Sequence, residues 1–587
     1  MVKYYSSILF FLIFVLVFVG FFHRVTAFTQ DLGRHILLGN IIIATHAIPQ
    51  TNLLSYTYPD FPFLNHHWLS EVVLSMLFSK LHTFGLLVAI TTLALLAFGI
   101  IFLYAYKKTG VSACIGSLLL LPVLFERTDI RPEVFSFFLL SVFLVVLFKN
   151  REQPSKLVYL LPPLMLLWVN LHIYFFTGII LIVLFLIDGL IAKRRNLLCN
   201  YNRSLLTLLI LCSLTTLLNP HGLQGALYPF SAFKNYGYSI EENQTIFLLD
   251  TLGFHKTSVV YFKISVTLLF FLLLFRVRKA KPIDWLLTIA FGCAGALAVR
   301  NFPLFALAVL IPFTTNLSAV VSQFVPKPTQ TLSPRKKFLV HAFFLLLIAI
   351  SLWQITTTAQ KYQFGSSQDP GATNAVNFFQ KNKLRGPIFN NFDIGSYLSY
   401  RLYKKERVFV DGRPEAYPAS FFQQTYIPIQ QNETLFEQIS KQHHFNTVFF
   451  SHTDQTPWAE TFVIAILKNP SWRAVYLDQT VIILVKNTPE NKHVIDRFGM
   501  SSSHLHAAYD PSDSQSLLQL ASFFSKLGDP DATFQILQQL LFVDPNNCQA
   551  LYNRALIAVS RQDPLMSSYS LSYEHTCRKK LSASYIN

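Results

Sequence analysis

Asp31, Glu71, Asp129 and Glu133 supply carboxylates, Arg131 and Arg300 supply guanidiniums, and His35, His172 and His221 supply imidazoles, in a chain that otherwise carries few charges. These residue types suit the movement of a group from a phosphate-linked donor to a hydroxyl. Arg131 and Arg300 can hold a phosphate through forked hydrogen bonds. Asp31, just beyond the first apolar run, can take the proton of the attacking hydroxyl. Asp129 or Glu133 can position the donor or a metal, and the histidines can bind phosphate or carry protons. The metal is left open: a divalent cation such as Mg or Mn is compatible with the acids, but no zinc spacing and no CxxC motif occurs.

The elements that must position these residues are membrane helices. Hydrophobic residues make up 52% of the 587 and charged residues 13%, with 56 phenylalanines; a soluble domain carries roughly 25% charged residues. Runs long enough to cross a bilayer fall at 5–23, 84–106, 111–126, 133–149, 156–170, 172–192, 203–219, 258–276, 283–299, 302–323 and 338–358, giving about eleven spans. Val25-Thr26-Ala27 resembles a signal-peptidase site, but residues 8–22 exceed a usual signal core, so we read a retained helix. The net charge of +17 comes from basic residues flanking the spans, such as Lys107, Lys149, Lys193-Arg194-Arg195, Arg276 and Lys327. No base-reading motif accompanies it, which argues against nucleic acid. The positive-inside rule then sets the N-terminus in the cytoplasm of a cell (inner) membrane and the C-terminal region outside.

That orientation gathers the polar residues on one face. The first outer loop, 24–83, holds Asp31, His35 and Glu71; later outer turns hold Asp129, Arg131 and Glu133, then His172, then His221 at the start of a second long loop, 220–257, then Arg300. Each has a plainer reading: snorkelling arginines, Trp68 as an interface anchor, His66-His67 as a wet interfacial pair, Pro132 and Pro220 as helix breakers. The side bias favours a site. Asp188 and Asp284 lie near cytoplasmic ends, and the span centres carry almost no ionisable group, which argues against an ion-coupled transporter.

At these residues the chain resembles the GT-C superfamily of polyprenyl-phosphate-sugar-dependent membrane glycosyltransferases. It is similar in particular to a bacterial group carrying Asp31, His35, Gly39, Pro49, Ser55-Tyr56-Thr57 and Trp68-Leu69-Ser70-Glu71. Further matches are Arg131-Pro132-Glu133, Asn219-Pro220-His221-Gly222, Arg300-Asn301-Phe302-Pro303-Leu304, the stretch Asn390 to Leu398, and Val408-Phe409-Val410-Asp411-Gly412-Arg413. The resemblance covers most of 20–430. It implies a GT-C-type α-helical polytopic membrane domain over 1–360, a lipid-bilayer setting, a polyprenyl-phosphate sugar as donor, hexosyl or pentosyl transfer, and Asp31 as the catalytic first-loop acid. Some members carry two adjacent acids there; here Leu32 follows Asp31.

Beyond 360 the composition turns mixed and polar. Short apolar strands at 388–389, 408–410 and 447–450, then a hairpin of 474–477 with 481–485 across Asp478-Gln479, predict a small extracytoplasmic α/β domain over 372–490. Asp411 and Arg413 at a strand end are possible substrate contacts; the alternative is a structural turn. From 514 to 581, Phe524, Gly528, Leu537 and Pro545 fit a tetratricopeptide-like (TPR-like) helical unit, expected either to pack on the α/β domain or to bind a protein partner. Cys548 and Cys577 can pair only if the tail folds them together. Three functions compete: a glycosyltransferase acting on an extracytoplasmic acceptor, a non-catalytic scaffold that uses the soluble tail for protein interaction, and a transporter of lipid-linked saccharides.

Overall fold

A computed structural model describes residues 2–26, 30–192, 199–231, 236–253, 256–324, 333–367, 371–502 and 504–578. Ala27 of the signal-peptidase-like site, Lys193, Arg194, Arg195 and Lys327 of the basic turns, and residues 579–581 lie outside the described residues. The chain divides into two compact units. One comprises Met1–Ala27, His35–Gln50 and Phe63–Asp369; the other comprises Phe28–Arg34, Thr51–Pro62 and Pro370–Asn587.

The first unit is a helical bundle. Its helices are α1 (Val2–Phe21), α2 (Leu32–Thr45, from His35 onward), α3 (Trp68–Thr109), α4 (Val111–Leu124), α5 (Glu133–Glu152), α6 (Leu161–Leu171) and α7 (Phe175–Ala192). They continue as α8 (Asn200–Thr215), α9 (Gly222–Ser231), α10 (Ile246–Thr251), α11 (Thr257–Phe275), α12 (Pro282–Leu297), α13 (Phe302–Phe324) and α14 (Pro334–Tyr362). Among the described residues seven helices are long and apolar enough to cross a membrane, including the 20-residue α5 and the 29-residue α14. At 1.5 Å per residue, 20 residues span about 30 Å, the thickness of a bilayer core. The expected spans at 111–126, 156–170, 203–219 and 283–299 fall on the shorter helices α4, α6, α8 and α12.

Burial tells the bundle centre from its lipid-facing rim. Phe302, Phe305, Ala308 and Val309 of α13 have no exposed surface, whereas Phe271 and Phe275 of α11 and Leu345, Leu346 and Trp353 of α14 are more than half exposed. Lipid is as apolar as those side chains, so their exposure carries no hydrophobic cost in a membrane. Asp188 and Asp284 are satisfied within the bundle. Asp188 takes a fork from Arg151 (Nε 2.6 Å, Nη2 3.1 Å), and Asp284 accepts from Asn316 at 2.9 Å.

The expected loop 24–83 is about half helical. It contains α2 and the start of α3, whose 42 residues bend at His82 (φ 53°), just before the apolar run that begins at 84. Gly39 explains the close packing of α2 on α3: a Cβ there would come 2.1 Å from the carbonyl oxygen of Glu71.

The second unit carries a four-stranded sheet in the order β1-β2-β4-β3. β1 (Ile388–Asn390) runs parallel to β2 (Thr447–Ser451), and β4 (Val481–Lys486) is antiparallel to both β2 and β3 (Trp472–Leu477). The expected β3–β4 hairpin is present. Asp478 shapes its turn by accepting from the backbone N–H groups of Thr480 and Val481, both at 2.8 Å. Residues 408–410 do not form the expected strand. Val408 makes only isolated bridges, to Ile388 and Ser55, because the Asn390 side chain takes the place of a strand neighbour, donating to the Val410 carbonyl (2.7 Å) and accepting from the Phe409 N–H (2.9 Å). Ser55, Tyr56 and Thr57 lie on the same stretch: the hydroxyls of Ser55 and Thr57 donate to the Phe409 carbonyl at 3.0 and 2.8 Å, and that of Tyr56 donates to Ile388 at 2.9 Å.

Around the sheet stand α15 (Thr373–Lys381), α16 (Phe392–Leu402), α17 (Pro428–Gln431), α18 (Glu433–Gln442), α19 (Pro457–Lys468) and α20 (Lys492–Phe498). Four further helices follow: α21 (Ser514–Lys526), α22 (Pro530–Val543), α23 (Cys548–Ser560) and α24 (Met566–Tyr573). α21 packs on the sheet region, with Phe523 against the His452 ring (4.4 Å between centroids) and Lys526 paired with Glu460 at 2.6 Å. Cys548 and Cys577 form a disulfide.

Candidate functional site

In the bundle, short turns between apolar helices bring three arginines together. Arg127 precedes α5, Arg131 lies one turn later, and Arg300 sits on the 3-10 turn Val299–Asn301 before α13. Arg127 divides its guanidinium between two acids, with Nη2 on Glu133 and Nη1 on Glu242. Arg131 makes a long contact with Glu242 (3.5 Å). Arg300 donates from Nε to the Tyr174 hydroxyl (3.2 Å) and from Nη1 to Asn243 (3.0 Å). The Nε of Arg127 is buried and has no hydrogen-bond partner among the described residues. Burial works against ionisation of Glu242, but Arg127, Arg131 and Arg300 hold its carboxyl below the usual carboxylate range. Three guanidiniums thus converge on the carboxylates of Glu133 and Glu242, and their forked N–H groups are of the kind that binds an anion. No sequence motif gives Arg127, Glu242 or Tyr174 a role; Arg127 stands in the charged turn 126–133 and Glu242 in the pair Glu241-Glu242 of a loop.

A second polar group of the bundle joins α2, α3 and the α6–α7 turn. His35 bonds Glu71 (3.0 Å), whose other oxygen accepts from Asn65 (2.6 Å); both His35 and Glu71 are buried. The rings of His67 and His172 stack at 4.9 Å. His172 meets the Ser136 hydroxyl at 2.9 Å, and burial pushes it down to about 3, so it stays neutral at physiological pH. His221 lies with His66, Trp68 and Tyr228 around a small pocket, its pKa lowered by burial. The Trp68 indole donates to Asn170 at 3.0 Å. Asp129 accepts from the Thr26 hydroxyl at 3.3 Å.

In the second unit, Asp31 accepts from Arg34 Nη2 at 3.0 Å, one turn apart on the chain. Arg34 is buried, and its Nε has no hydrogen-bond partner among the described residues. Gly412 lies against Asp31: a Cβ there would come 3.3 Å from Asp31 Oδ1 and 2.8 Å from Ser396 Oγ. Asp411 and Arg413 hold this glycine in place. Arg413 donates to Asp411 from Nε (2.8 Å) and Nη2 (2.7 Å), and from Nη2 to Asn52 (2.7 Å). Asp411 is 0% exposed and Arg413 1%. Buried and bonded to one another, these two residues have the arrangement of a structural turn, the alternative to substrate contact.

Asp393, in the first turn of α16, was not singled out from the sequence. Its side chain keeps access to solvent, yet loss of hydration by crowding, followed by the negative fields of Asp454 and Asp31, lifts its carboxyl to about 7. The raised value means that the folded protein binds the proton more tightly than the unfolded chain does. Stability therefore falls as pH rises from about 4 towards 7 and is level above that. Asp393→Asn is expected to raise the melting temperature slightly above pH 7 and to leave it unchanged at the acid end; thermal unfolding across that range reads the difference.

Among the described residues no group of three or more His, Cys, Asp or Glu side chains is placed to hold a metal ion. Glu133 and Glu242 are taken up by arginine, as Asp31 is by Arg34.

No protein-family model and no curated protein sequence matches the chain. Solved structures do. The archaeal oligosaccharyltransferase AglB from Archaeoglobus fulgidus, in complex with an inhibitory peptide and a dolichol-phosphate, matches at 11% identity with a TM-score of 0.56, covering 93% of this chain and 86% of that one. An apo oligosaccharyltransferase from the same organism matches at 11% identity and 0.53, covering 83% and 75%. ArnT from Cupriavidus metallidurans, in the apo state, reaches 0.48 at 12% identity, covering 82% and 98%. The first two likenesses identify the architecture: this is a membrane protein with the GT-C fold.

Proposed function

We propose that the chain is a membrane glycosyltransferase that moves a sugar from a polyprenyl-phosphate carrier to a hydroxyl-bearing acceptor outside the cytoplasm. In the step envisaged, the acceptor oxygen bonds to the anomeric carbon while the carbon–oxygen bond to the phosphate breaks. The electron pair leaves with the polyprenyl phosphate, and the acceptor proton passes to the Asp31 carboxylate. Arg131 and Arg300, together with Arg127, hold the phosphate and take up the charge that grows on it. Arg34 and the Gly412 turn hold Asp31 in position.

The observation that carries this reading is the convergence of Arg127, Arg131 and Arg300 on a GT-C frame. A guanidinium buried with an unused N–H group is costly to keep, and an anionic ligand would repay that cost. Native mass spectrometry of the purified protein with its bound lipids tests the proposal. A co-purifying polyprenyl-phosphate saccharide is expected; retention of bulk phospholipid alone would count against it.

A further inference from the structure

Glu242 was not among the residues expected to do chemistry, and its position is informative. It lies on a three-residue 3-10 turn, Glu241–Asn243, in the second long loop. Its carboxylate is shared by Arg127 and Arg131, while its neighbour Asn243 accepts from Arg300 at 3.0 Å. One short turn thus touches all three guanidiniums. The other acid of the cluster, Glu133, is 8% exposed and sits at the start of α5; Glu242 is 27% exposed and sits on a loop. Of the two, Glu242 is the one that can leave without moving a helix.

A carboxylate offers two oxygens and one negative charge. A phosphate monoester or diester offers at least as much charge, in the same forked geometry. The buried Nε of Arg127 is still without a hydrogen-bond partner while Glu242 is seated, so the cluster has more donor capacity than the carboxylates use.

We propose that Glu242 occupies the position of the donor's phosphate and is displaced by it, so that this loop residue sets the affinity of the arginine cluster for a polyprenyl phosphate. The inference rests on the phosphate role given to the arginines above. With the lipid absent, Glu242 partners Arg127 and Arg131; when the lipid arrives, its phosphate takes over those hydrogen bonds and the Glu241–Asn243 turn lifts. Glu242 therefore competes with the ligand, opposite to a residue that helps to bind it.

The test is a titration of the purified full-length protein with undecaprenyl phosphate, followed by native mass spectrometry, with undecaprenol as the uncharged control. Glu242→Gln is expected to tighten binding of the phosphate lipid on the order of tenfold, the size of one displaced charge-assisted hydrogen bond, and to leave undecaprenol unchanged. Because the substitution removes one acid from the arginine cluster, the lipid-free variant is expected to melt at a lower temperature and to regain the difference when undecaprenyl phosphate is added. Asn243→Ala loosens the same turn without changing charge and is expected to tighten binding to a smaller degree. If the natural protein prefers the phosphate lipid but both variants bind it equally well or more weakly, Glu242 is a structural partner and the inference is overturned. If the natural protein does not distinguish undecaprenyl phosphate from undecaprenol, the phosphate role of the arginines falls, and the inference with it.

Discussion

Asp31→Asn is expected to lower the turnover number for sugar transfer by about 10²–10⁴-fold, the usual contribution of a positioned acid–base group, with little change in the KM for the lipid donor. The amide matches the carboxylate in size and still accepts from Arg34, so the first turn of α2 keeps its shape; what disappears is a base for the acceptor proton. Asp31→Glu restores the base but lengthens the side chain by one methylene. The Gly412 turn, where a Cβ would already come 3.3 Å from Asp31 Oδ1, limits where the added length can go. Partial recovery is expected. Initial rates at saturating donor, with expression and melting temperature compared between variants, separate a lost base from a lost fold.

The second large effect concerns stability. Arg413→Met is expected to unfold most of the second unit. Asp411 and Arg413 are buried completely, and the forked pair is Asp411's counter-charge. Removing the cation strands a carboxylate in a poorly hydrated interior, at a cost of about 3–5 kcal/mol, a large share of the roughly 5–15 kcal/mol that holds a domain folded. Asn52 loses its partner at the same time. Replacing both members, as in Asp411→Asn with Arg413→Met, removes the stranded charge and should recover much of the loss. Chemical denaturation followed by tryptophan fluorescence, with Trp458 and Trp472 reporting on this unit, distinguishes the two variants. If Arg413→Met melted like the natural protein, the buried pair would not be what holds the turn.

The membrane helices were legible because lipid imposes a simple rule: a long apolar run with basic flanks leaves few other structures. The β3–β4 hairpin was legible because alternating apolar residues flank a turn, and Asp478 caps that turn locally. Contacts that depend on distant parts of the chain were not legible. Ser55, Tyr56 and Thr57 read as loop residues, yet their hydrogen bonds go to Ile388 and Phe409, more than three hundred residues away. Asp411-Gly412-Arg413 reads as a polar turn, and nothing in the motif says whether its charges face a ligand or each other. Glu242 is one acid among several in a long loop, and only the folded chain sets it on Arg127 and Arg131. For α2, polar Arg34 and His35 at its start hid a short helix inside a presumed loop.

The central claim is that a glycosidic bond to a lipid phosphate is broken with Asp31 as the base. The most direct measurement follows a saccharide-loaded polyprenyl phosphate, extracted from the native membrane, after incubation with the reconstituted protein and an extract containing acceptors. The account predicts that the natural protein releases sugar-free polyprenyl phosphate and that Asp31→Asn binds the loaded carrier but leaves it whole. Carrier that crosses the bilayer with its saccharide intact, or release that proceeds undiminished in Asp31→Asn, would contradict it.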